Sequence, residues 1–179
     1  MLDRVDRVRN EEASLVNKVV NLRWVYSLNA GGRKQRMSVF VVVGNSAGKV
    51  GFGIGKAKDT SSAIKKAIIK ARQRMVRFSM KQNRTVHHDI VSKYCSSKAT
   101  IRYASPGSGI KCSNSARLFI EALGMKDLVI KSHGSSHPIN LIKAISKGLS
   151  MISSPHQIAK RRGVEFNRVI GRTSTDNVI

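Results

Sequence analysis

Between Gly51 and Gly55 the chain alternates glycine with a bulky residue, Gly51-Phe52-Gly53-Ile54-Gly55, and this stretch restricts the fold more than any other. Side chains on an extended strand point alternately to opposite faces. A strand here has Phe52 and Ile54 on one face and no side chain on the other. Bare backbone lets a bulky partner come close. Two occupants fit: an RNA backbone, drawn by Lys49, Lys56 and Lys58 alongside, or a helix of the same chain packed against a twisted strand.

The flanking residues supply the rest of a sheet. Met37 to Val43 is a β-branched run that reads as a buried strand. Gly44 to Gly48 is a turn, and Lys49 to Ile54 returns as a hairpin partner. Upstream, Val20, Leu22, Trp24, Tyr26 and Leu28 alternate with Asn21, Arg23, Val25 and Ser27, the pattern of a half-buried strand. Asn29-Ala30-Gly31-Gly32 breaks it, because glycine supplies positive φ without steric cost. Arg33-Lys34-Gln35-Arg36 then places a basic cluster on the turn or the next strand. Downstream, Asp59-Thr60-Ser61 offers N-caps for a helix expected to run to about Met80. Ala63, Ile64, Ala67, Ile68, Ala71, Met75 and Phe78 give it an apolar face. The first unit is thus a three-stranded sheet with one helix.

A second unit follows the polar connector Gln82-Asn83-Arg84. Strands are expected within Thr85–Tyr94 and Lys98–Tyr103, then a loop at Ser105 to Gly109. A helix capped by Asn114 or Ser115 runs to Leu123 and ends at Gly124. Leu128 to Ser132 is a short strand, and Pro138 opens a helix striped by Ile139, Ile142, Ile145 and Leu149. Pro155 begins a last short helix that Gly163 ends. The expected division is an N-terminal arm at 1–15, domains at 16–82 and 83–163, and a loose tail at 164–179. The fold class is α+β with two small domains.

Charge narrows the function. Lys and Arg number 33 against 10 Asp and Glu, a formal net charge of +23. So basic a chain repels itself unless it binds something negative. Nucleic acid is the usual partner, since Lys and Arg displace its condensed counterions. A membrane is disfavoured: no run approaches the roughly 20 apolar residues of a spanning helix. The first residues, Met1 to Arg7, alternate charge and resemble neither a secretory signal nor an acid-poor transit peptide. Cys95 and Cys112 are too few for a disulfide framework and read as free thiols.

Enzymatic motifs fail on inspection. Gly44-Asn45-Ser46-Ala47-Gly48-Lys49 resembles a phosphate-binding loop, but the glycine spacing is short and Val50 replaces the required hydroxyl. The alternate glycines at 51, 53 and 55 lack the Gly-x-Gly-x-x-Gly spacing of a dinucleotide loop. His87 and His88 would point to opposite faces of a strand, and a Gly-Ser loop separates His133 from His137. No metal, cofactor or catalytic residue is expected. The cations of the helix, Lys66 and Arg72 among them, have no acidic neighbour after Asp59 and read as phosphate contacts.

Several motifs in order resemble the ribosomal protein S-five family of the small subunit. They are Gly31-Gly32-Arg33, then Val41-Val42-Val43-Gly44, then Gly48 to Ala57 in the first domain. Pro106-Gly107-Ser108-Gly109-Ile110, Ala116-Arg117 and Lys131 to Asn140 follow in the second. The resemblance spans roughly residues 16–163. It implies a first domain like a double-stranded-RNA-binding domain and a second βαβα domain with a left-handed crossover. It implies a structural, non-catalytic protein that binds small-subunit rRNA, neighbours ribosomal proteins S-four and S-eight, lies near the path by which mRNA enters, and supports decoding accuracy. Localisation would be the ribosome, in bacterial cytoplasm or an organelle matrix. Asn29, Gly31, Gly32 and Arg33 match the family's rRNA-contacting loop; Lys49, Gly51, Gly53, Gly55, Lys56, Lys58, Lys66 and Arg72 complete the expected rRNA set. Gly109 and Arg117 match its contact with protein S-four. Ala30, Met37 and Lys111-Cys112-Ser113-Asn114 depart from the family pattern. A free-standing RNA-binding regulator and a phosphoryl-transfer enzyme of the broader βαβα class are the competing readings.

Overall fold

The computed structural model describes residues 15–170. The N-terminal arm except Leu15, and the end of the tail, lie outside them. Strands β1 (Val16–Asn29), β2 (Gly32–Gly44), β3 (Lys49–Ala57) and β4 (Val76–Arg77) form one antiparallel sheet in that order. Helix α1 (Thr60–Gln73) lies across it. The second sheet has the order β5 (Ile90–Tyr94), β6 (Ser97–Tyr103), β8 (Leu128–Gly134), β7 (Ile110–Lys111), with β7 parallel to β8. Helix α2 (Asn114–Leu123) connects β7 to β8, and α3 (Pro138–Met151), α4 (Pro155–Arg162) and α5 (Phe166–Ile170) follow.

Register settles what the alternate glycines do. Val43, Val41 and Val39 on β2 stand opposite Gly51, Gly53 and Gly55 on β3. Opposed residues of an antiparallel pair share a face. Those valines cluster with Met37 and with Ala63, Ala67 and Ala71 of α1. A Cβ added at Gly51, Gly53 or Gly55 would lie 2.2, 2.4 or 2.0 Å from the carbonyl oxygens of Ala71, Ala67 and Ala63 respectively. Small residues every fourth position on the helix thus sit on glycines every second position on the strand. The helix fills the bare face, and the expected approach of RNA to it is overturned by sterics.

The other face of the sheet carries Phe40, Val42, Phe52 and Ile54, which pack with Phe119, Ala122 and Leu123 of α2. One apolar core therefore runs across both units. Ser46 and Gly48 donate backbone N–H groups to the carbonyls of Ala122 and Leu123, each at 3.0 Å. Lys18 pairs with Glu121 across the same seam. Gly124, at φ 95°, closes α2 where a Cβ would meet the Ser46 oxygen at 2.0 Å.

Three elements differ from expectation, besides the short strand β7, which the sequence does not signal. Helix α1 stops at Gln73 because the chain turns back to pair: Val76 and Arg77 join β3 opposite Val50 and Lys49, and the Phe78 N–H donates to Gly48. Met75 and Phe78 leave the helix face, and the sheet gains a fourth strand. Residues 85–89 are irregular rather than strand, with Thr85 bridged to Lys81. The start of the expected tail forms α5, where Phe166 stacks on His156 with ring centroids 3.9 Å apart. The Pro138 and Pro155 helix starts stand where the sequence puts them, the latter with a Ser154–Gln157 capping box.

Candidate nucleic-acid interface

The β1–β2 hairpin carries the most accessible charge. Its turn is tight: Asn29 pairs with Gly32, leaving Ala30 and Gly31 at the tip, and Gly32 takes φ 113°. Every residue from Leu28 to Arg36 is exposed. Pairing then sorts the side chains. Arg23 stands opposite Ser38, Val25 opposite Arg36, Ser27 opposite Lys34. Ser38 in turn stands opposite Lys56. Arg23, Lys34, Arg36 and Lys56 therefore share one face, continuous with the face that α2 covers lower down the sheet. Arg33 projects at the tip, and Lys58 follows just beyond β3.

The opposite face of the hairpin is apolar along β1, with Gln35 and Arg33 of β2 beside Tyr26 and Leu28. Leu22, Trp24, Tyr26 and Leu28 point the same way as Met37 and Val39, toward the side occupied by α1. The helix packs over β2 and β3 and leaves β1 uncovered. Leu22 is 45% exposed, Trp24 52%, Tyr26 62% and Leu28 79%. The expected half-buried strand is thus exposed on its apolar side.

The expected site residues divide accordingly. Asn29, Gly31, Gly32 and Arg33 form the hairpin tip, and Lys56 and Lys58 lie at its base, where β3 ends opposite Met37. Lys49 belongs to the far end of the sheet, opposite Arg77. It is seven residue steps along the strand from Lys56, about 23 Å at ~3.3 Å per residue. Lys66 and Arg72 are exposed on α1, but six positions put them on different flanks. Gly51, Gly53 and Gly55 are buried beneath α1. Arg23, Lys34 and Arg36 are the additions. Alternation across a two-residue turn would have placed them together, but only once the register was known.

Electrostatics reinforce the picture. From residue 15 to residue 88 the chain has sixteen Lys and Arg and a single carboxylate, Asp59. The loop that imitates a phosphate cradle has no donors to spare. Asn45 Oδ1 accepts from the N–H groups of Ala47 and Lys49, while those of Ser46 and Gly48 go to the C-terminal carbonyls of α2. That helix end carries negative partial charge, the wrong sign for a phosphate.

A second surface forms where Gly109 and Arg117 meet. Asp127, 2% exposed, accepts N–H donations from Gly107 at 2.9 Å and Gly109 at 3.1 Å, and pairs with Arg84. The Gly109 N–H first, then the Arg84 guanidinium, hold its carboxyl below the usual range. Arg117 Nη2 donates to the carbonyl of Ile110 at 3.1 Å, so the exposed guanidinium lies against the residue after Gly109. Burial pushes the neighbouring Cys112 thiol up. Among the described residues, no three His, Cys, Asp or Glu side chains gather as a metal site, and no helix is long and apolar enough to cross a membrane.

Comparison with known proteins adds to the geometry. The family profile described as "Ribosomal protein S5, N-terminal domain" matches residues 15–79, and "Ribosomal protein S5, C-terminal domain" matches 92–162. The chain is 38% identical over 170 residues to small ribosomal subunit protein uS5 of Phenylobacterium zucineum, covering 95% of this chain and 87% of that protein. It is 41% identical over 171 residues to the protein of the same name from Ehrlichia ruminantium, covering 94% and 98%. The Caulobacter vibrioides protein is 39% identical over 173 residues, covering 95% and 86%.

Proposed function

The chain belongs to the ribosomal protein S5 family, structural constituents of the small ribosomal subunit and not enzymes, and on that premise we propose that it docks on small-subunit rRNA through the cationic face of its β1–β2 hairpin. Arg23, Lys34, Arg36 and Lys56 neutralise phosphates there, with Asn29 to Arg33 at the tip and Lys58 beside them. Lys66, Arg72 and Lys49 serve as separate phosphate contacts on other flanks. The observation that carries this reading is the near-absence of carboxylates over residues 15–88, where Asp59 alone stands against sixteen Lys and Arg. The Gly109–Arg117 corner faces ribosomal protein S-four, with protein S-eight a further neighbour. The protein works near the path by which mRNA enters and supports decoding accuracy. It resides on ribosomes of a bacterial cytoplasm or an organelle matrix.

Sedimentation tests the docking. Wild-type chain travels with small subunits through moderate salt. A variant carrying Arg23→Glu, Arg36→Glu and Lys56→Glu stays near the top of the gradient while keeping its folded circular-dichroism spectrum. Co-sedimentation of that variant at the wild-type level defeats the proposal.

A further inference from the structure

We propose that the apolar face of the β1–β2 hairpin stacks on unpaired RNA bases through Trp24 and Tyr26, so that the hairpin grips RNA on both faces. This rests on the docking proposed above and deepens it.

The two rings belong to one row. Trp24 and Tyr26 are two residues apart on a strand, on the same side of the ribbon, with Leu22 and Leu28 continuing the row. Such neighbours lie roughly 7 Å apart along a strand. That is about twice the stacking distance of successive bases, so each ring can take the face of a separate, splayed base. Nothing in the described chain covers either ring: α1 lies over β2 and β3, and the second unit is on the other side of the sheet.

Charge selects the occupant. An exposed apolar row of this size marks a binding surface. A protein surface and an RNA surface are both conceivable coverings, and they differ in what the rim requires. Arg23, Lys34 and Arg36 occupy the opposite face of the same two-stranded ribbon, Arg33 sits at its tip, and Lys65 and Arg72 are exposed on α1, on the aromatic side of the sheet. No carboxylate lies anywhere on β1, β2 or β3. Flat rings in a mainly cationic surround, with Asp59 its single carboxylate, match single-stranded nucleic acid, where bases stack on aromatics and phosphates meet Lys and Arg. Sequence-specific contact with a paired stem is disfavoured, since stacked and paired bases offer no free faces to the rings.

Trp24 is the chain's one tryptophan, which makes the test direct. Full-length protein is titrated with single-stranded polyadenylate and with a blunt RNA duplex, following Trp24 emission and, separately, electrophoretic mobility. The expected result is quenching by polyadenylate, while the duplex shifts mobility without quenching. Trp24→Ala and Tyr26→Ala should each weaken polyadenylate binding by roughly 5- to 150-fold. They should leave the salt dependence of binding unchanged and keep the wild-type melting temperature, because the rings hold no core together. Trp24→Phe should restore most of the affinity. Polyadenylate binding with unaltered Trp24 emission overturns the stacking proposal alone. Emission unmoved by RNA but blue-shifted in assembled small subunits also overturns it, in favour of a protein covering. If neither RNA shifts mobility, the docking itself has failed and stacking falls with it.

Discussion

Replacing Gly53 with alanine adds one methyl group where the structure has room for none. Its Cβ would sit 2.4 Å from the Ala67 carbonyl oxygen and 2.7 Å from the Ala71 nitrogen, against 3.4 Å for the start of ordinary contact. Both obstacles are helix backbone, so relief requires α1 to retreat by about 1 Å, and a gap of that size forfeits a quarter to a half of each dispersion contact it opens. Overpacking of this kind costs about 1–3 kcal/mol, and a rigid obstacle puts Gly53→Ala near the top of that range. For a chain of this length about 3 kcal/mol lowers the melting temperature by roughly 6–12 °C. Gly31→Ala is the control, because nothing lies within 4 Å of a Cβ there. Thermal unfolding by circular dichroism reads both. RNA affinity, measured well below the melting transition, should stay within about twofold of wild type for Gly53→Ala, since the methyl points into the helix and not toward solvent. A variant that melts like wild type yet binds RNA tenfold more weakly would refute the packing argument and return the bare strand face to RNA.

Two further outcomes follow from the second unit. Asp127 has a folded pKa below the ordinary 3.8, so its contribution is fully present above that value and is lost as pH falls through the lower one. Denaturant midpoints should therefore drop on acidification below about pH 4 in the wild type and be flatter there in Asp127→Asn, which starts from a lower midpoint at neutrality; parallel curves would remove Asp127 as the acid-sensitive group. Arg117→Glu leaves the fold intact, since the guanidinium is exposed and its contacts are the Ile110 carbonyl and the Cys112 thiol; misreading in a reporter assay should rise with subunit yield unchanged, and unaltered misreading would detach Arg117 from decoding.

The strongest local signals were legible and the relations between elements were not. The run Met37 to Val43, the Gly44–Gly48 turn and both proline-started helices could be read from propensity and patterning alone. The end of α1 could not, because Met75 and Phe78 keep the helical period; what stops the helix is the end of its glycine cradle at Gly51 and the pairing of Val76 with Val50. Alternation in β1 predicts one apolar face correctly from Leu22 to Leu28 but assigns it to the core, while Val20, at the register shift, packs on the other side. A helix covers only the strands that it crosses, and this one packs on β2 and β3. The glycine pattern admitted two occupants, and only register could choose between them. The same register gathers Arg23, Lys34, Arg36 and Lys56 on one face, a cluster that distance along the chain conceals.

The most direct measurement is the slope of log affinity against log salt for naked small-subunit rRNA, compared between wild type and a variant with Lys34→Ala, Arg36→Ala and Lys56→Ala. Each phosphate contact adds about 0.7 to 0.9 to the slope, so losing three should make it shallower by roughly 2 to 3. Identical slopes, with both proteins folded, would mean that the cationic hairpin face meets no phosphate.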